Sequence, residues 1–300
     1  MIERLAIIGV GLIGGSLARA LRGAGVVGEI IGCGRSVENL ELAFDLGVID
    51  GCTRDPAAAV EGADMVFIAV PLGAMRGVFE RIRGSLRDDA VITDGGSVKG
   101  SVVADAVAVF GQVPSRLVPG HPIAGTEHSG VGASFPELYH NRRVILTPLP
   151  QTAPDAVDKV RAMWLAAGAQ VTDMEVAHHD AVLAATSHLP HMLAFGLVDL
   201  LARQSDHDEI FRFAAGGFRD FTRIASSNPV MWRDICIANA DALSAMLARF
   251  GEEMTDLADT IRRRDGEHLL EIFTRAKAAR DGYVDGVVGL GGGGPRGASS

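Results

Sequence analysis

A short apolar run that leads directly into a glycine-rich turn constrains the fold of this chain more than any other feature. The run spans residues 5–10, the turn reads Gly9-Val10-Gly11-Leu12-Ile13-Gly14, and a helical pattern follows over residues 16–22. Glycines at this spacing allow a tight turn, close approach of a pyrophosphate to the backbone, and close packing of helix on strand. The alternative is a tight strand-to-helix turn without a ligand. We predict a dinucleotide site whose cofactor-binding residues are Gly9, Gly11, Leu12, Ile13 and Gly14.

The end of the second predicted strand, at residues 29–32, bears on the choice of cofactor. An NAD site usually has a carboxylate near this point to bind the ribose hydroxyls. The sequence there continues Cys33-Gly34-Arg35-Ser36 and contains no carboxylate. Arg35 and the Ser36 hydroxyl are suited to a 2′-phosphate, which favours NADP. The other interpretation is that Arg35 stacks on the adenine of NAD, so NADP is the favoured cofactor and NAD a possible one.

Strands and helices alternate through the first half of the chain. Further apolar strands are predicted at residues 64–71, 90–94, 116–119 and 142–148, with helices at 73–84 and 98–110. This alternation predicts an α/β domain with a parallel, doubly wound sheet of the Rossmann type. Ligands of such sheets bind outside the carboxyl ends of the strands. Val70 and Pro71 close one strand, so we expect them to line the cofactor crevice.

Two polar residues follow later strands of this sheet. Ser97 leaves the strand at 90–94, where it points toward the crevice, forms the N-cap of the next helix, or does both. His121 follows the strand at 116–119, in a glycine-punctuated loop over residues 120–130. An imidazole titrates near neutral pH and can exchange a proton there. We predict that the His121 loop forms part of a site and that Ser97 points toward the cofactor crevice. The alternative for the loop is a solvated surface turn.

The second half of the chain is predicted to be helical. Helical periodicity covers residues 155–167, 176–203, 208–224 and, with breaks, 231–280, and strand patterns stop after residue 148. We therefore expect a dinucleotide-binding domain over residues 1–150 and an all-α domain over residues 151–285. The Gly/Ser-rich tail at 286–300 is expected to be disordered.

Polar groups cluster at three places in the helical half. His188 and His191 share a helix face if the helix continues between them, although a core histidine is the common alternative. Arg219 and Arg223 lie one turn apart, where like charges repel. An anionic partner is one explanation for this pair, and a neighbouring aspartate with solvent is the other. Trp232 follows near a helix start, a position typical of core or subunit packing.

Composition limits the remaining functions. The net charge of −9 disfavours a nucleic-acid partner. Three cysteines at wide spacing predict reduced thiols and no metal site. The amino terminus lacks a signal-peptide pattern, and no apolar run reaches the roughly 20 residues of a membrane helix. We expect a cytoplasmic protein that acts on a small molecule and does not associate with membranes.

Five motifs carry a family resemblance. They are the turn at residues 9–14, Gly96-Ser97-Val98-Lys99, Gly120-His121-Pro122-Ile123-Ala124-Gly125, His188-Leu189-Pro190-His191, and Gly217-Phe218-Arg219-Asp220-Phe221-Thr222-Arg223 with Met231-Trp232-Arg233. In this order, over residues 1–285, the chain resembles TyrA-type prephenate or arogenate dehydrogenases of tyrosine biosynthesis. The resemblance implies NAD(P)-dependent oxidative decarboxylation of prephenate or arogenate. It also implies a homodimer joined through the helical domain, with each active site between the two domains.

The resemblance also implies roles for individual residues. His121 would accept the proton of the substrate's 4-hydroxyl, and Ser97 would hydrogen-bond that hydroxyl or orient the imidazole. Arg223 is the best match for a substrate carboxylate. Arg219 stands where relatives are also expected to have lysine. A cationic role is therefore implied for Arg219, but the binding geometry of a lysine is not. The substrate-binding residues implied are Arg223, His191, Arg219, Thr126, Glu127 and Gly216.

Two rival functions are compatible with a Rossmann domain followed by helices. A beta-hydroxyacid dehydrogenase would use a lysine on a helix of the second domain, and the helices over residues 155–280 contain only Lys159 and Lys277. A non-catalytic dinucleotide-binding regulator would need neither His121 nor Arg223.

Overall fold

The computed structural model of the chain describes residues 1–126 and 128–290, the last six of these as backbone alone. The predicted site residue Glu127 and residues 291–300 of the predicted tail lie outside this range. The chain divides into two compact units, Met1–Leu243 and a second that begins at Ser244.

A six-stranded parallel sheet organises the first unit. Its strands are β1 (Ile2–Ile8), β2 (Val27–Cys33), β3 (Gly51–Thr53), β4 (Met65–Ile68), β5 (Val91–Asp94) and β6 (Leu117–Val118). Their spatial order is β3-β2-β1-β4-β5-β6, so the direction of winding reverses between β1 and β4. This order confirms the predicted doubly wound Rossmann sheet and places a ligand crevice at the carboxyl ends of β1 and β4.

Helices cover both faces of this sheet. They are α1 (Leu12–Gly23), α2 (Val37–Asp45), α3 (Pro56–Val60), α4 (Met75–Ile82) and α5 (Lys99–Phe110). Alternate side chains of β1 enter different cores, because neighbouring strand residues point to opposite faces. Leu5 and Ile7 pack with α1 in one buried cluster, and Ala6 and Ile8 pack with α4 and α5 in the other.

A second sheet follows, with three strands in the order β7 (Gly120–Pro122), β8 (Arg143–Leu146) and β9 (Gln170–Asp173). The helix α6 (Pro154–Ala166) connects β8 to β9. It packs on the first sheet through the buried Trp164, whose ring contacts Phe67 and Tyr139 edge to face at 5.6 and 5.0 Å.

The strand β9 corrects the expectation that strands stop after residue 148. It has only four residues, Gln-Val-Thr-Asp, and none of them is fully buried. Its sequence therefore carries too little apolar periodicity to be recognised, and its parallel pairing with β8 defines it as a strand. The predicted domain boundary near residue 150 stays a prediction, with α6 attached to the first sheet.

The remaining elements are helical, as predicted. They are α7 (Val176–Leu183), α8 (Leu189–Ala202), α9 (His207–Arg212), α10 (Gly216–Thr222), α11 (Pro229–Ala238), α12 (Ala240–Arg262) and α13 (Gly266–Leu290). A π-helical turn, Ala184–His188, joins α7 to α8 without a break. The helix α13 continues to Leu290 and so overlaps the first residues of the predicted tail at 286–300, which stays a prediction. Glycine and valine in this stretch lower helix propensity only modestly, which cooperative extension of a long helix overcomes.

Residues 176–202 form one continuous apolar helix. Among the described residues it alone is long and apolar enough, by length and composition, to cross a membrane, a test that core helices of soluble proteins also pass. Only 22% of its most apolar window is buried within the chain. This helix therefore presents apolar surface that the chain itself leaves uncovered.

The glycine-rich turn gives a stability prediction. A Cβ at Gly14 would overlap the carbonyl oxygen of Gly9 and lie 2.8 Å from Ile7 Cγ2, whereas a Cβ at Gly11 would meet nothing within 4 Å. We expect Gly14→Ala to lower the free energy of unfolding by about 1–3 kcal/mol, because helix and strand must separate. Gly11→Ala is the matched control, with an expected change within about 0.5 kcal/mol. Urea unfolding followed by tryptophan fluorescence measures both, and equal losses would contradict the packing assigned to Gly14.

Candidate active site

The crevice at the carboxyl ends of β1 and β4 fits the phosphates of a dinucleotide. Gly9 has a φ of 102° and packs against the backbone of Ala69, which sets the tight turn. The space over Gly11 is open, and Gly11 is the N-cap of α1 without a capping side chain. The amino terminus of α1 therefore faces open space and can bind an anion. Of the predicted contacts beside it, Leu12 is buried, Ile13 and Val70 are half-buried, and Pro71 is exposed.

The first turn of α2, just beyond the end of β2, contains a carboxylate, Glu38, that the sequence interpretation missed. Arg35 is exposed, as a ligand for a 2′-phosphate should be. The Ser36 hydroxyl, however, donates to Glu38 at 2.6 Å and accepts from the Asn39 amide at 3.1 Å, as the N-cap of α2. The hydrogen bond from Ser36 lowers the pKa of the Glu38 carboxyl. A negative charge therefore lies at Glu38, two residues beyond the stretch 33–36 that contains no carboxylate.

His121 lies on the short strand β7, which pairs with β8, and only 9% of it is exposed. Its Nδ1 lies 2.9 Å from Nε2 of His179, and Nδ1 of His179 lies 2.8 Å from Oδ1 of Asp180. Because the carboxylate can only accept, the network assigns a donated proton to each Nδ1. This tautomer leaves Nε2 of His121 with a lone pair, as a general base requires.

Burial is the main reason that the pKa of His121 lies well below its usual value. The positive charge of Lys99 lowers it further, and charges on His179 or His188 would act in the same direction. For Asp180, burial raises the carboxyl pKa, but hydrogen bonds from His179 and from two backbone amides outweigh it, and the pKa is lowered. At neutral pH the imidazole of His121 is therefore neutral beside an ionised Asp180.

Asp180 also caps the helix α5. Its two carboxylate oxygens accept hydrogen bonds from the backbone amides of Lys99 and Gly100, both at 2.8 Å. The N-cap residue is Val98, so the alternative role of Ser97 as an N-cap is wrong. The cap comes from a residue 81 positions away in the sequence, which local pattern cannot reveal. Ser97 itself is half-buried between β5 and α5.

In the sequence, Lys99 was noted only as part of the motif at residues 96–99. It is fully buried, its amine pairs with the buried Asp94, and it donates to the Gly120 carbonyl at 2.6 Å. His179 and Asp180 were missed altogether. The available signal was three adjacent titratable residues, His178-His179-Asp180, within an apolar helical pattern.

Trp232 brings the two predicted histidines of the helical half together. Its ring stacks on His191 with centroids 3.7 Å apart, and it meets His188 edge to face at 6.0 Å. His188 is buried, and its Nδ1 accepts a hydrogen bond from the Asn239 amide at 3.1 Å. Burial lowers its pKa to about 4. His188 therefore fits the alternative of a satisfied core histidine, whereas His191 is half-buried.

The two arginines line an open pocket of about 450 Å³. Arg219 lies on α10 and Arg223 begins the 3-10 turn that follows it, and both are exposed. The pKa of His191 is lowered by burial and also by the charge of Arg223, which places Arg223 near that imidazole. The residues around the pocket are Phe211, Ala214, Phe218, Arg219, Thr222, Arg223 and Ser226.

Two other predicted substrate residues, Thr126 and Gly216, lie at the surface. Thr126 is exposed and its hydroxyl accepts from the His128 amide at 3.2 Å. Gly216 is exposed at the start of α10. The described contacts therefore form two groups, one around His121 and one around His191 and Trp232. His188 is connected to both, because a charge on it would lower the pKa of His121 and its ring meets Trp232 edge to face.

Comparison with known sequences assigns both halves of the chain. Residues 17–173 match the family of the prephenate dehydrogenase nucleotide-binding domain, and residues 175–275 match the prephenate dehydrogenase dimerization domain. The cyclohexadienyl dehydrogenase of Zymomonas mobilis is 38% identical over 283 residues, which are 93% of this chain and 95% of that protein. The prephenate dehydrogenase of Bacillus subtilis is 38% identical over 290 residues, covering 94% of this chain and 76% of that protein.

Solved structures agree with these matches. The prephenate dehydrogenase of Aquifex aeolicus, in complex with hydroxyphenyl propionate and NAD+, has a TM-score of 0.88 at 38% identity, covering 94% of this chain and 98% of that chain. The arogenate dehydrogenase of Synechocystis has a TM-score of 0.79 at 28% identity, covering 93% and 99%. The sequence resemblance is thus confirmed along almost the whole chain, which belongs to the prephenate dehydrogenase family.

Proposed function

We propose that this chain catalyses the NAD(P)-dependent oxidative decarboxylation of prephenate to 4-hydroxyphenylpyruvate, of arogenate to tyrosine, or of both. The observation that carries the proposal is the neutral His121 imidazole, oriented by His179 and Asp180. Relatives at 38% identity named cyclohexadienyl and prephenate dehydrogenase support the same reaction.

The chemistry divides between the cofactor and the chain. When bound, the nicotinamide accepts a hydride from the ring carbon that carries the 4-hydroxyl. Nε2 of His121 takes the hydroxyl proton, and the ring carboxylate leaves as carbon dioxide as the ring becomes aromatic. The charge that develops on His121 is stabilised through His179 by the Asp180 carboxylate, as in other base–orienter pairs. Ser97, at the same crevice, hydrogen-bonds the hydroxyl or orients the imidazole.

Cationic side chains are proposed to bind the substrate carboxylates. Arg223 is the principal ligand, with a planar guanidinium that matches a carboxylate, and Arg219 is a secondary one. His191 donates from Nδ1 to the Ser187 carbonyl at 2.9 Å, and its pKa is lowered. At neutral pH it therefore offers Nε2 as a hydrogen-bond acceptor. Thr126, Glu127 and Gly216 are proposed to order the surrounding loops.

A helical lysine, as in the rival beta-hydroxyacid dehydrogenase, is not supported. Lys159 pairs with Asp64 at 2.6 Å. Asp64 precedes β4, so this pair lies at the amino-terminal ends of the strands, opposite the crevice at their carboxyl ends. Lys277 pairs with Asp281 on α13. Neither amine is among the contacts of His121 or His191.

We also infer a homodimer. The match to a dimerization domain covers residues 175–275, which include the apolar helix at 176–202. A second copy of the chain would cover the apolar surface that this helix leaves exposed. With that surface buried between subunits, a cytoplasmic location is the simplest one.

For the cofactor, we propose that NADP is favoured and NAD is accepted. The exposed Arg35 after β2 supports a 2′-phosphate, and the nearby Glu38 opposes it. The NAD+ in the Aquifex aeolicus complex supports use of NAD by the family. The balance between the two charges therefore sets the preference.

The reaction is tested by His121→Asn. An amide of similar size preserves substrate contacts but cannot accept the proton, so kcat should fall by roughly 10²- to 10⁴-fold with little change in KM. Reduced cofactor is measured at 340 nm with prephenate and with arogenate. His178→Asn, at an exposed position on α7, is the control and should retain normal kcat. If His121→Asn keeps near-normal kcat, His121 is not the base. If the unaltered protein turns over neither substrate, the proposed reaction is wrong.

The carboxylate ligand is tested by Arg223→Ala. Loss of a charge-assisted pair, worth about 1.5–3 kcal/mol, should raise the KM for the carboxylate substrate by about tenfold or more. The KM of the cofactor should change little, because the cofactor crevice lies at the first sheet. Arg212→Ala, at an exposed position on α9, is the control. An unchanged substrate KM in a variant with a normal thermal melt would refute the assignment, and equal losses for substrate and cofactor would indicate a structural role.

Cofactor preference is tested by a pair of opposite charge changes. Arg35→Ala should lower the ratio of kcat/KM for NADP to that for NAD, and Glu38→Gln should raise it, because it removes a charge that repels the 2′-phosphate. Glu41→Gln, one turn further along α2, is the control and should leave the ratio in place. An unaltered enzyme that prefers NAD by about tenfold or more would overturn the proposed preference.

A further inference from the structure

A buried ion pair binds both backbone polar groups of Gly120, the residue before His121. The Lys99 amine, at the first residue of α5, donates to the Gly120 carbonyl at 2.6 Å and pairs with Asp94 at the end of β5. Asp94 in turn accepts from the Gly120 amide at 3.2 Å and from the Gly96 amide at 2.8 Å. Both polar groups of Gly120 are therefore bound by this one pair, and Gly120 immediately precedes His121.

Stability alone is a weak reason for such a pair. Lys99 and Asp94 are both fully buried, and moving two charges out of water commonly costs as much as their attraction returns. Packed apolar side chains of similar volume often stabilise such a position as well or better. The position of the pair, in contact with the residue before the proposed base, suggests a different role.

We propose that Lys99 is a positioning residue of the active site. With Asp94 it fixes the backbone that carries His121, and its positive charge holds the imidazole in the form that can accept a proton. The catalytic part of this role rests on the proposed function.

The charges around His121 determine the sign of the effect. The groups that face it are Lys99 from α5, Asp94 from β5, His179 and Asp180 from α7, and His188 from the π-helical turn. After burial, the charge of Lys99 is the largest cause that lowers the pKa of His121. Removing this charge should raise that pKa, so the imidazole would become protonated at a higher pH and the base would be lost there.

The test uses variants that remove both charges at once. Asp94→Asn with Lys99→Gln replaces the pair with neutral amides that can still bond the Gly120 peptide. Its acid limb of kcat/KM should move to higher pH, because the charge of Lys99 lowers the pKa of His121 and Asp94 is not among the causes that shift that pKa. Its kcat on the alkaline side should fall less than that of an apolar replacement of the pair, because the amides can still bond both polar groups of Gly120. Asp94→Leu with Lys99→Met is an apolar replacement, which should show the same shift in pH and a lower kcat at every pH.

A second lysine–aspartate pair supplies the control. Lys159 and Asp64 form a partly buried pair at the amino-terminal ends of the strands of the same sheet, away from His121. Lys159→Gln with Asp64→Asn should lower the melting temperature and leave the pH profile in place. An equal shift in this control would show that the effect is a general loss of stability.

An NMR titration makes the test independent of turnover. The His121 imidazole signal is identified by its loss in His121→Asn. In the unaltered protein this signal should stay in its neutral form through mildly acidic pH, and in both double variants it should titrate closer to the ordinary value of about 6.5. If both double variants titrate like the unaltered protein, Lys99 does not control His121. If the shift is seen but neither prephenate nor arogenate is turned over, the effect of Lys99 stands and the proposed reaction fails. If the amide pair does not fold, the apolar pair decides by the same titration.

Discussion

The rest of the site depends on the hydrogen bonds that the Asp180 carboxylate accepts. It accepts hydrogen bonds from His179 and from the first two backbone amides of α5, and so joins α7 to the helix that follows β5. Gly100 is required for this approach, because a Cβ there would lie 2.8 Å from Asp180 Oδ2. The two matched family domains meet at this carboxylate, since α5 belongs to the nucleotide-binding match and α7 to the dimerization match. Orientation of the His121 imidazole, the proposed base, and attachment of α7 to α5 therefore depend on the same carboxylate.

Opposing charges set the proton affinity of His121. Asp180, acting through His179, favours the imidazolium, whereas burial and the Lys99 charge favour the neutral ring. A general base must be neutral before the reaction and must still accept a proton during it. Stabilisation through His179 acts when the proton arrives, because the bond between the two imidazoles strengthens as charge develops.

The sequence was sufficient for features that depend on local pattern. The glycine turn, the alternation of strands and helices, and the position of His121 after a strand all follow from spacing and periodicity. His179 and Asp180 could not be predicted in this way, because their partners lie 58 and about 80 residues away and their own helix looks apolar. Glu38 was overlooked because it lies past the expected position and approaches through a side-chain hydrogen bond. The strand β9 is defined by its pairing with β8, and the pattern of its four residues does not predict that pairing.

One local irregularity explains how the second group of residues reaches its place. Pro190 lacks an amide proton and its ring crowds the carbonyl of Thr186, so a regular helix cannot pass through this point unchanged. The π-helical turn Ala184–His188 takes up the misfit, as such turns often do at functional sites. The helix then continues with His188 directed at Asn239 and with His191 stacked on Trp232. The helix thus continues past a proline that would ordinarily end it, with one histidine in the core and the next half-buried against Trp232.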